Sequence, residues 1–211
     1  MISDINKMQS LIKKVNELKK GKVKELVASR IKEFKKAKSY KELFSELCYC
    51  IMTAGFNAER SIKIQKAIGN GFLALPEKKL QAKLKELGYR YHNRAEYIAS
   101  NRKYAQELKK RIESMPDHDL REWLAKNIKG FGYKEASHFL RNIGYCDCAI
   151  IDFHIIDLLE KYHLIKKPKN LAKKSYLEIE HILRDLAKKS KLTLDELDLY
   201  LWFLETGKVL K

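Results

Sequence analysis

The chain has 211 residues, of which 45% are hydrophobic and 10% aromatic, so it can bury a core and is neither disordered nor of low complexity. Lys and Arg number 44 against 27 Asp and Glu, and the net charge of +17 favours a polyanionic partner, nucleic acid before an anionic membrane surface. No stretch approaches the roughly 20 apolar residues of a membrane span, and the first residues lack the apolar segment of a signal peptide. We therefore expect an intracellular protein, cytoplasmic or associated with the nucleoid.

The first two predicted elements are amphipathic helices separated by Gly21. Apolar residues recur at steps of three and four from Ile5 to Leu18, and again at Val23, Leu26, Val27, Ile31 and Phe34. Residues 1–41 carry 13 Lys or Arg against four acidic residues, so the polar faces meet solvent or a phosphate backbone. A lysine-rich surface of a heat-adapted protein explains any single lysine equally well.

Three S/T-x-x-E sequences predict helix starts, because the hydroxyl and the carboxylate of such a capping box bind free backbone amides. They begin at Ser39, Ser175 and Thr193. Glycines and prolines divide the rest of the chain, and a polar connector spans residues 166–170 around Pro168. The periodicity indicates about ten helices and no convincing strand, which predicts an all-α protein of two helical lobes.

The four cysteines form two C-x-C pairs, Cys48 with Cys50 and Cys146 with Cys148. A disulfide framework is not expected in an intracellular chain. A four-thiolate metal site is conceivable, but zinc sites usually space their cysteines C-x2-C. We expect the cysteines to pack in the core, and we expect no metal or other cofactor.

The most informative stretch, residues 119–143, has the pattern of a helix-hairpin-helix motif. Two amphipathic segments flank the turn Lys129-Gly130-Phe131-Gly132. The glycines permit positive φ and close backbone approach, so that amides at the start of the second helix can face a phosphate oxygen. Such a contact reads the DNA backbone and not its sequence. A turn that merely stops a helix uses the same residues, so the turn alone leaves DNA binding open.

The continuation of the chain is more specific. Lys134 lies four residues past Gly130, and Asp152, followed by Phe153 and His154, ends the apolar run AIID just before another predicted helix. These residues resemble the motif of the helix-hairpin-helix glycosylases of the endonuclease III superfamily. The segments LCYCIMTAGFNAERSIKI, LGYRYHNRAEYIA and ELDLYLWFLETGKVLK extend the resemblance over nearly the full chain. The whole is most similar to the compact 8-oxoguanine DNA glycosylase/lyases of the second Ogg class, known mainly from archaea and some thermophilic bacteria.

The resemblance implies a fold and an activity. Members are all-α proteins with two helical subdomains and a DNA-binding cleft between them. We therefore expect one glycosylase domain over residues 1–211, with one lobe at about 40–115 and the other formed by 1–39 and 116–211. The implied reaction is base-excision repair, in which a monomer removes 8-oxoguanine from double-stranded DNA and cleaves 3′ to the abasic site by β-elimination, without a cofactor.

The resemblance also implies catalytic residues. Lys134 would attack the sugar C1′ and form a Schiff base. Asp152 would help activate the lysine and stabilise positive charge on the sugar. From spacing alone, Lys134 is as well explained as a solvated lysine in a first helical turn, and Asp152 as a helix N-cap.

Further residues are expected to contact DNA. Gly130, Gly132 and Lys129 would meet phosphates at the hairpin, and Arg90 and Tyr91 would fill the gap left by an extruded base. The sequence YRYHNR is also a plausible polar loop.

Base recognition is assigned to the C-terminal sequence. The resemblance places Lys211, with its ammonium and carboxylate, at the base pocket and makes Trp202 available for stacking. A frayed tail and a core tryptophan are the alternatives.

The sequence departs from the related families at two points. No cysteine follows Cys148, so the iron-sulfur cluster of some superfamily members is not expected. Gly55 stands where relatives usually have Asn, which puts the reading of the opposite base in doubt, with Asn57 and Tyr91 as possible substitutes. The alternatives are a non-catalytic helix-hairpin-helix DNA-binding module, a glycosylase/lyase for another damaged base, and a basic helical scaffold protein.

Overall fold

A computed structural model describes residues 2–211, with side chains from residue 8 onward, and every regular element in that range is helical. The all-α prediction is confirmed. None of the described helices is both long and apolar enough to cross a membrane. The elements are α1 (Ile2–Leu18), α2 (Lys22–Phe34), α3 (Tyr40–Thr53), α4 (Ala58–Ile68), α5 (Gly71–Ala74), α6 (Glu77–Glu86), α7 (Asn93–Asn101), a 3-10 turn (Arg102–Tyr104), α8 (Ala105–Ser114), α9 (Asp117–Asn127), α10 (Tyr133–Asn142), α11 (Phe153–Lys161), α12 (Lys173–Ser190) and α13 (Leu194–Thr206).

The described residues thus contain thirteen α-helices, more than the roughly ten expected from periodicity. Helices such as the four-residue α5 are too short to show a 3.6-residue repeat. The contacts divide the chain into two compact units. The first unit is the chain up to Lys36 with Gly144–Lys211, and the second unit is Ala37–Ile143.

Helix α13 is the centre of the first unit, because α1, α2, α11 and α12 all pack against it. Its buried residues face in several directions, as expected for a helix surrounded by others. Helix α2 contributes Val27, Ile31 and Phe34 to the core. Leu26 was expected on the same face but is 53% exposed, because it lies about 100° around the helix from Val27.

Helix α3 is the centre of the second unit, and α4, α5, α7, α8 and α10 pack against it. Its residues from Glu46 to Thr53 are all buried, including Cys48 and Cys50. Burial raises the pKa of the Cys48 thiol well above its ordinary value, so this thiol stays protonated and unreactive.

The two cysteines of the first unit have different surroundings. Cys148 is buried, as expected, but Cys146 is exposed, so its predicted core position is wrong. Cys146 lies in the irregular segment before α11, where its carbonyl oxygen accepts a hydrogen bond from the Leu194 amide at 3.1 Å. None of the four cysteines, all of which lie in the described part of the chain, forms a disulfide bond. Among the described residues, no group of three or more His, Cys, Asp or Glu is placed to hold a metal ion.

The contacts place the helix-hairpin-helix segment differently from the expected lobes, which grouped residues 116–143 with the two termini. In the structure α9 and α10 belong to the second unit, since α10 packs against α3 and α9 packs against α10. A buried hydrogen bond adds to this packing, with Asn142 Nδ2 donating to Glu46 Oε1 at 2.7 Å. These two residues are far apart in the chain, so no local pattern indicates the contact.

Two of the three predicted capping boxes are present. Ser39 and Thr193 are the N-caps of α3 and α13 and bind Glu42 and Glu196. The predicted N-cap at Ser175 is wrong, because Ala172, three residues earlier, is the N-cap and α12 begins at Lys173. The Ser175 hydroxyl instead donates to the Ala172 carbonyl at 3.0 Å, inside the first turn.

Candidate functional site

The hairpin turn between α9 and α10 uses its two glycines for different purposes. Gly130 has φ of +90°, and a Cβ there would lie 2.6 Å from Cδ2 of Tyr97, so a larger residue fits neither the backbone nor the space. Gly132 has φ of −114°, so of the two glycines only Gly130 uses the positive φ that both permit. A Cβ at Gly132 would meet only Glu135 Oε2, at 3.5 Å. The small size of Gly132 therefore leaves the start of α10 open to a ligand.

Glu135 binds the amide that was expected to face a phosphate. Gly132 N–H donates to Glu135 Oε2 at 3.1 Å, and Glu135 Oε1 lies 3.5 Å from Nζ of Lys134. At α3 and α13 the equivalent carboxylates also accept a hydrogen bond from the N-cap hydroxyl. Ser39 Oγ donates to Glu42 at 2.7 Å, and Thr193 Oγ1 donates to Glu196 at 3.0 Å. Gly132 has no hydroxyl, and at this helix the carboxylate pairs with Lys134 instead.

Lys134 and Lys129 have different environments. Lys134 is the second residue of α10, and its side chain is only 21% exposed. The side chain of Lys129 is about half exposed and forms an ion pair with Glu96. The hydrogen bond that Lys129 donates to Glu96 raises the pKa of Lys129, so Lys129 remains a cation and is better suited to a phosphate than to nucleophilic attack.

Arg90 and Tyr91 lie in the loop before α7, and Tyr91 contacts Gly55. The Tyr91 hydroxyl donates to the Gly55 carbonyl at 2.7 Å, and Arg90 Nη2 donates to Tyr91 Oη at 3.3 Å. A Cβ at Gly55 would lie 3.2 Å from this hydroxyl. Asn57, the other candidate substitute for the missing Asn, is the N-cap of α4, and its Oδ1 accepts from the Arg60 amide. Tyr91 is therefore the candidate that lies beside Gly55.

In the first unit, Asp152 is the N-cap of α11, with Oδ1 accepting from the Ile155 amide at 3.1 Å. The backbone that leads into Asp152 is held by α12. Tyr176 Oη donates to the Ala149 carbonyl at 2.7 Å and accepts from the Ile151 amide at 3.2 Å. Glu180 Oε2 accepts from the Ala149 amide at 2.9 Å. These buried bonds fix the backbone from which the Asp152 side chain extends at the start of α11.

Aromatic rings lie next to Asp152. Phe153 is 62% exposed, and its ring centroid is 3.9 Å from that of His154. The His154 ring meets the Trp202 ring edge-on at 4.8 Å. Trp202 is half-buried, and its Nε1 is a buried donor without a hydrogen-bond partner in the described part of the chain. The structure thus places Trp202 against His154, which follows Asp152 by two residues, and Lys211 is half-buried after the end of α13.

The family model described as 8-oxoguanine DNA glycosylase matches residues 27–192 of this chain. The chain belongs to the 8-oxoguanine DNA glycosylase family. It is 54% identical over 206 residues to the 8-oxoguanine DNA glycosylase/AP lyase of Methanocaldococcus jannaschii, covering 95% of this chain and 99% of that protein. It is 49% identical to the protein of the same name from Korarchaeum cryptofilum, with 97% and 99% covered.

Solved structures of family members have the same fold. The Methanocaldococcus jannaschii 8-oxoguanine glycosylase/lyase in complex with 15mer DNA containing 8-oxoguanine matches with a TM-score of 0.93 at 52% identity, over 96% of this chain and all of that one. The Thermotoga maritima 8-oxoguanine DNA glycosylase matches with a TM-score of 0.91 at 44% identity, over 97% and 100%. The family resemblance inferred from the sequence motifs is confirmed.

Against this glycosylase framework, sequence reasoning missed several residues beside the site. Glu135 is signalled by the G-x-x-E spacing from Gly132, which is a capping box without the hydroxyl. Phe153 is signalled by its place directly after Asp152. Tyr97 and Asn101 of α7 contact the hairpin from 28 to 33 positions away, and nothing in the local sequence indicates that contact.

Proposed function

We propose that this chain is a bifunctional 8-oxoguanine DNA glycosylase/AP lyase that acts on double-stranded DNA inside the cell. The observation that carries the proposal is the near full-length match, at 52% identity, to a glycosylase/lyase solved with DNA that contains 8-oxoguanine. The hairpin supports it, because Lys134 lies in the first turn of α10 directly after an open, glycine-lined backbone.

The proposed reaction begins with Lys134. Its neutral amine attacks C1′ of the damaged nucleotide, the glycosidic bond breaks, and the base leaves with the bonding electron pair and takes up a proton. The secondary amine then loses a proton as the sugar ring opens, which gives the iminium form of a Schiff base. Loss of a C2′ proton from this intermediate expels the 3′ phosphate by β-elimination. Water finally hydrolyses the imine and frees the lysine.

Asp152 is proposed to stabilise positive charge on the sugar as the base departs, and to help activate Lys134. Carboxylates do this in glycoside hydrolysis, where the transition state resembles an oxocarbenium ion. The hydrogen bond from the Ile155 amide suits this role, because it holds the carboxylate in place at the start of α11.

Phosphate binding and base extrusion are assigned to the second unit. Gly130 and Gly132 shape the hairpin that approaches the DNA backbone, and Lys129 supplies a cation beside it. Arg90 and Tyr91 are proposed to fill the gap that the extruded nucleotide leaves in the stack. Extrusion costs a few kcal/mol, which the phosphate contacts offset.

Recognition of the base is assigned to the first unit. 8-Oxoguanine donates a hydrogen bond at N7, where guanine accepts one, so an acceptor placed there disfavours guanine by about 1 to 3 kcal/mol. We propose that Lys211 supplies this contact and that Trp202 stacks on the base. The half-buried position of Trp202, against the His154 ring, supports the stacking role over a purely structural one.

Borohydride trapping tests the proposal. Borohydride reduces a Schiff base to a stable amine, so the enzyme is expected to cross-link to duplex DNA containing 8-oxoguanine and not to the same duplex containing guanine. A panel with other oxidised bases decides between this activity and a glycosylase/lyase for another lesion. A non-catalytic DNA-binding module binds every duplex and is never trapped, and a scaffold protein neither binds nor is trapped. Either of these results overturns the proposal.

A further inference from the structure

The Asn101 side chain binds both the amide and the carbonyl of Lys129, the residue that precedes the hairpin glycines. Its Nδ2 donates to the Lys129 carbonyl at 2.9 Å, and its Oδ1 accepts from the Lys129 amide at 3.0 Å. Asn101 is 1% exposed, so water has little access to the side chain that makes these bonds. One side chain at the end of α7 therefore fixes the backbone at the entry to the turn.

Tyr97 and Glu96, one turn earlier on α7, contact the same short segment. The Tyr97 ring fills the space beside Gly130 where any Cβ would lie. Lys129 Nζ lies 5.4 Å from the centroid of that ring and forms its ion pair with Glu96. The turn is thus held by a buried amide, an aromatic ring and a charge, all from one helix.

The other end of α7 carries contacts to the loop that contains Tyr91. Arg94 lies over both the Tyr91 ring, at 5.6 Å, and the Tyr97 ring, at 5.2 Å. Asn93 Nδ2 donates to the Tyr97 hydroxyl at 3.0 Å. A continuous chain of contacts therefore runs from Tyr91 through Arg94 and Tyr97 to the hairpin.

We propose that α7 is a brace that sets the spacing between the hairpin and the Tyr91 loop, with Asn101 and Tyr97 as positioning residues for base extrusion. The inference rests on the proposed function. A side chain can enter the stack at the damaged nucleotide only if the phosphate contacts lie at a fixed distance from it. The nine-residue α7 spans about 13 Å and is a rigid spacer of that kind.

The test compares Asn101→Leu with Gln65→Met. Each variant replaces a side-chain amide that bonds to backbone, but Gln65 lies on α4, outside α7 and the hairpin turn, and donates to the Ser45 carbonyl of α3 at 3.0 Å. Three quantities are measured for each: the thermal midpoint, the salt dependence of binding to undamaged duplex, and the rates of 8-oxoguanine excision and abasic-site cleavage.

Asn101→Leu is expected to weaken binding about tenfold and to reduce the slope of log affinity against log salt by about one, the loss of one phosphate contact. It should also slow 8-oxoguanine excision several-fold more than abasic-site cleavage, because an abasic site is extruded at lower cost. Gln65→Met should lower the thermal midpoint without changing the slope or the ratio of the two rates.

A wild-type slope in Asn101→Leu, or the same loss in Gln65→Met, overturns the brace. If Asn101→Leu does not fold, Tyr97→Leu answers the same question, because it keeps both Asn101 bonds. Binding to undamaged duplex requires no catalysis. If the wild-type enzyme excises nothing, the proposed function fails. The slopes of log affinity against log salt for the variants and the wild type still show whether α7 positions the hairpin.

Discussion

The hairpin region of the second unit and the Asp152 region of the first unit are both fixed by side chains that bind backbone, but they present different chemistry. At the hairpin, Asn101 holds the turn, and what faces outward is backbone and lysine. Beside Asp152, Tyr176 holds the chain, and what faces outward is a carboxylate and the exposed Phe153 ring. Backbone and cations suit phosphate, which every nucleotide carries, whereas rings and a carboxylate suit one sugar and one base. Phosphate binding by the hairpin backbone and Lys129 should therefore be separable by mutation from the chemistry of Asp152 and of the hairpin's own Lys134.

The largest effect is expected for Lys134→Gln, which breaks the chemistry while leaving the hairpin backbone intact. Base release and borohydride trapping should fall by more than about a thousandfold, because the nucleophile is gone. Affinity for lesion-containing duplex, measured by fluorescence anisotropy, should stay within a few-fold of wild type. Lys129→Gln is the matched control and should weaken binding but still be trapped. The opposite pattern would show that the nucleophile is Lys129.

Asp152→Asn is expected to reduce base excision by about a hundredfold at unchanged DNA affinity. The amide oxygen can still accept the hydrogen bond from the Ile155 amide, and Asn is as good an N-cap as Asp, so the thermal midpoint should change little. Single-turnover excision and thermal unfolding measure the two effects. A wild-type excision rate in this variant would leave Asp152 with the cap role alone.

Removal of Lys211 should further separate base recognition from phosphate binding, because it affects contacts to the base and not contacts to the phosphates. Deleting Lys211, or adding a few residues after it, is expected to slow 8-oxoguanine excision by about 10- to 100-fold. Cleavage of a pre-formed abasic site, which requires no base recognition, should change far less. The two rates are measured on matched duplexes. Equal excision by the deletion, the extension and the wild type would remove Lys211 from the base pocket.

The two hairpin glycines allow stability and binding to be separated. Gly132→Val is expected to weaken duplex binding roughly tenfold without changing lesion preference, because its side chain enters the open face of the turn. Its cost in folding free energy is that of a poorer N-cap, about 1 kcal/mol. Gly130→Ala should cost more, because it strains a positive φ and displaces Tyr97. Thermal unfolding and binding isotherms check both. A larger loss of stability in Gly132→Val would contradict this assignment.

The smallest effect is expected for Glu135→Gln, which removes a negative charge where a phosphate is expected to dock. Gln still serves as the third residue of a capping box, so the Gly132 amide keeps an acceptor. Duplex binding should tighten by about two- to fivefold at low salt. Glu196→Gln, at the box of α13, changes the net charge equally and is the control. Equal tightening in both variants would mean that only the net charge matters.

Much of this molecule is determined by short-range sequence patterns. The 3.6-residue periodicity predicts the all-α fold, and the G-x-G turn followed by Lys134 predicts the hairpin, because such signals depend on neighbours a few residues apart. The boxes at Ser39 and Thr193 were located for the same reason. Ser175 shows the limit of such patterns. The S/T-x-x-E spacing also fits a serine inside the first turn of a helix, and that is where Ser175 lies in α12.

Tertiary structure alone decides which elements share a unit and what surrounds each functional side chain. The bond from Asn142 to Glu46 places the hairpin helices with α3. The boundary expected at residue 115 missed this, because no local sequence pattern indicates a contact between residues so far apart. The clamp of Asn101 on Lys129 and the Tyr97 ring beside Gly130 likewise join residues about 30 positions apart. A buried polar group must find a partner wherever the folded chain supplies one, and that partner is a property of the packing and not of the adjacent sequence.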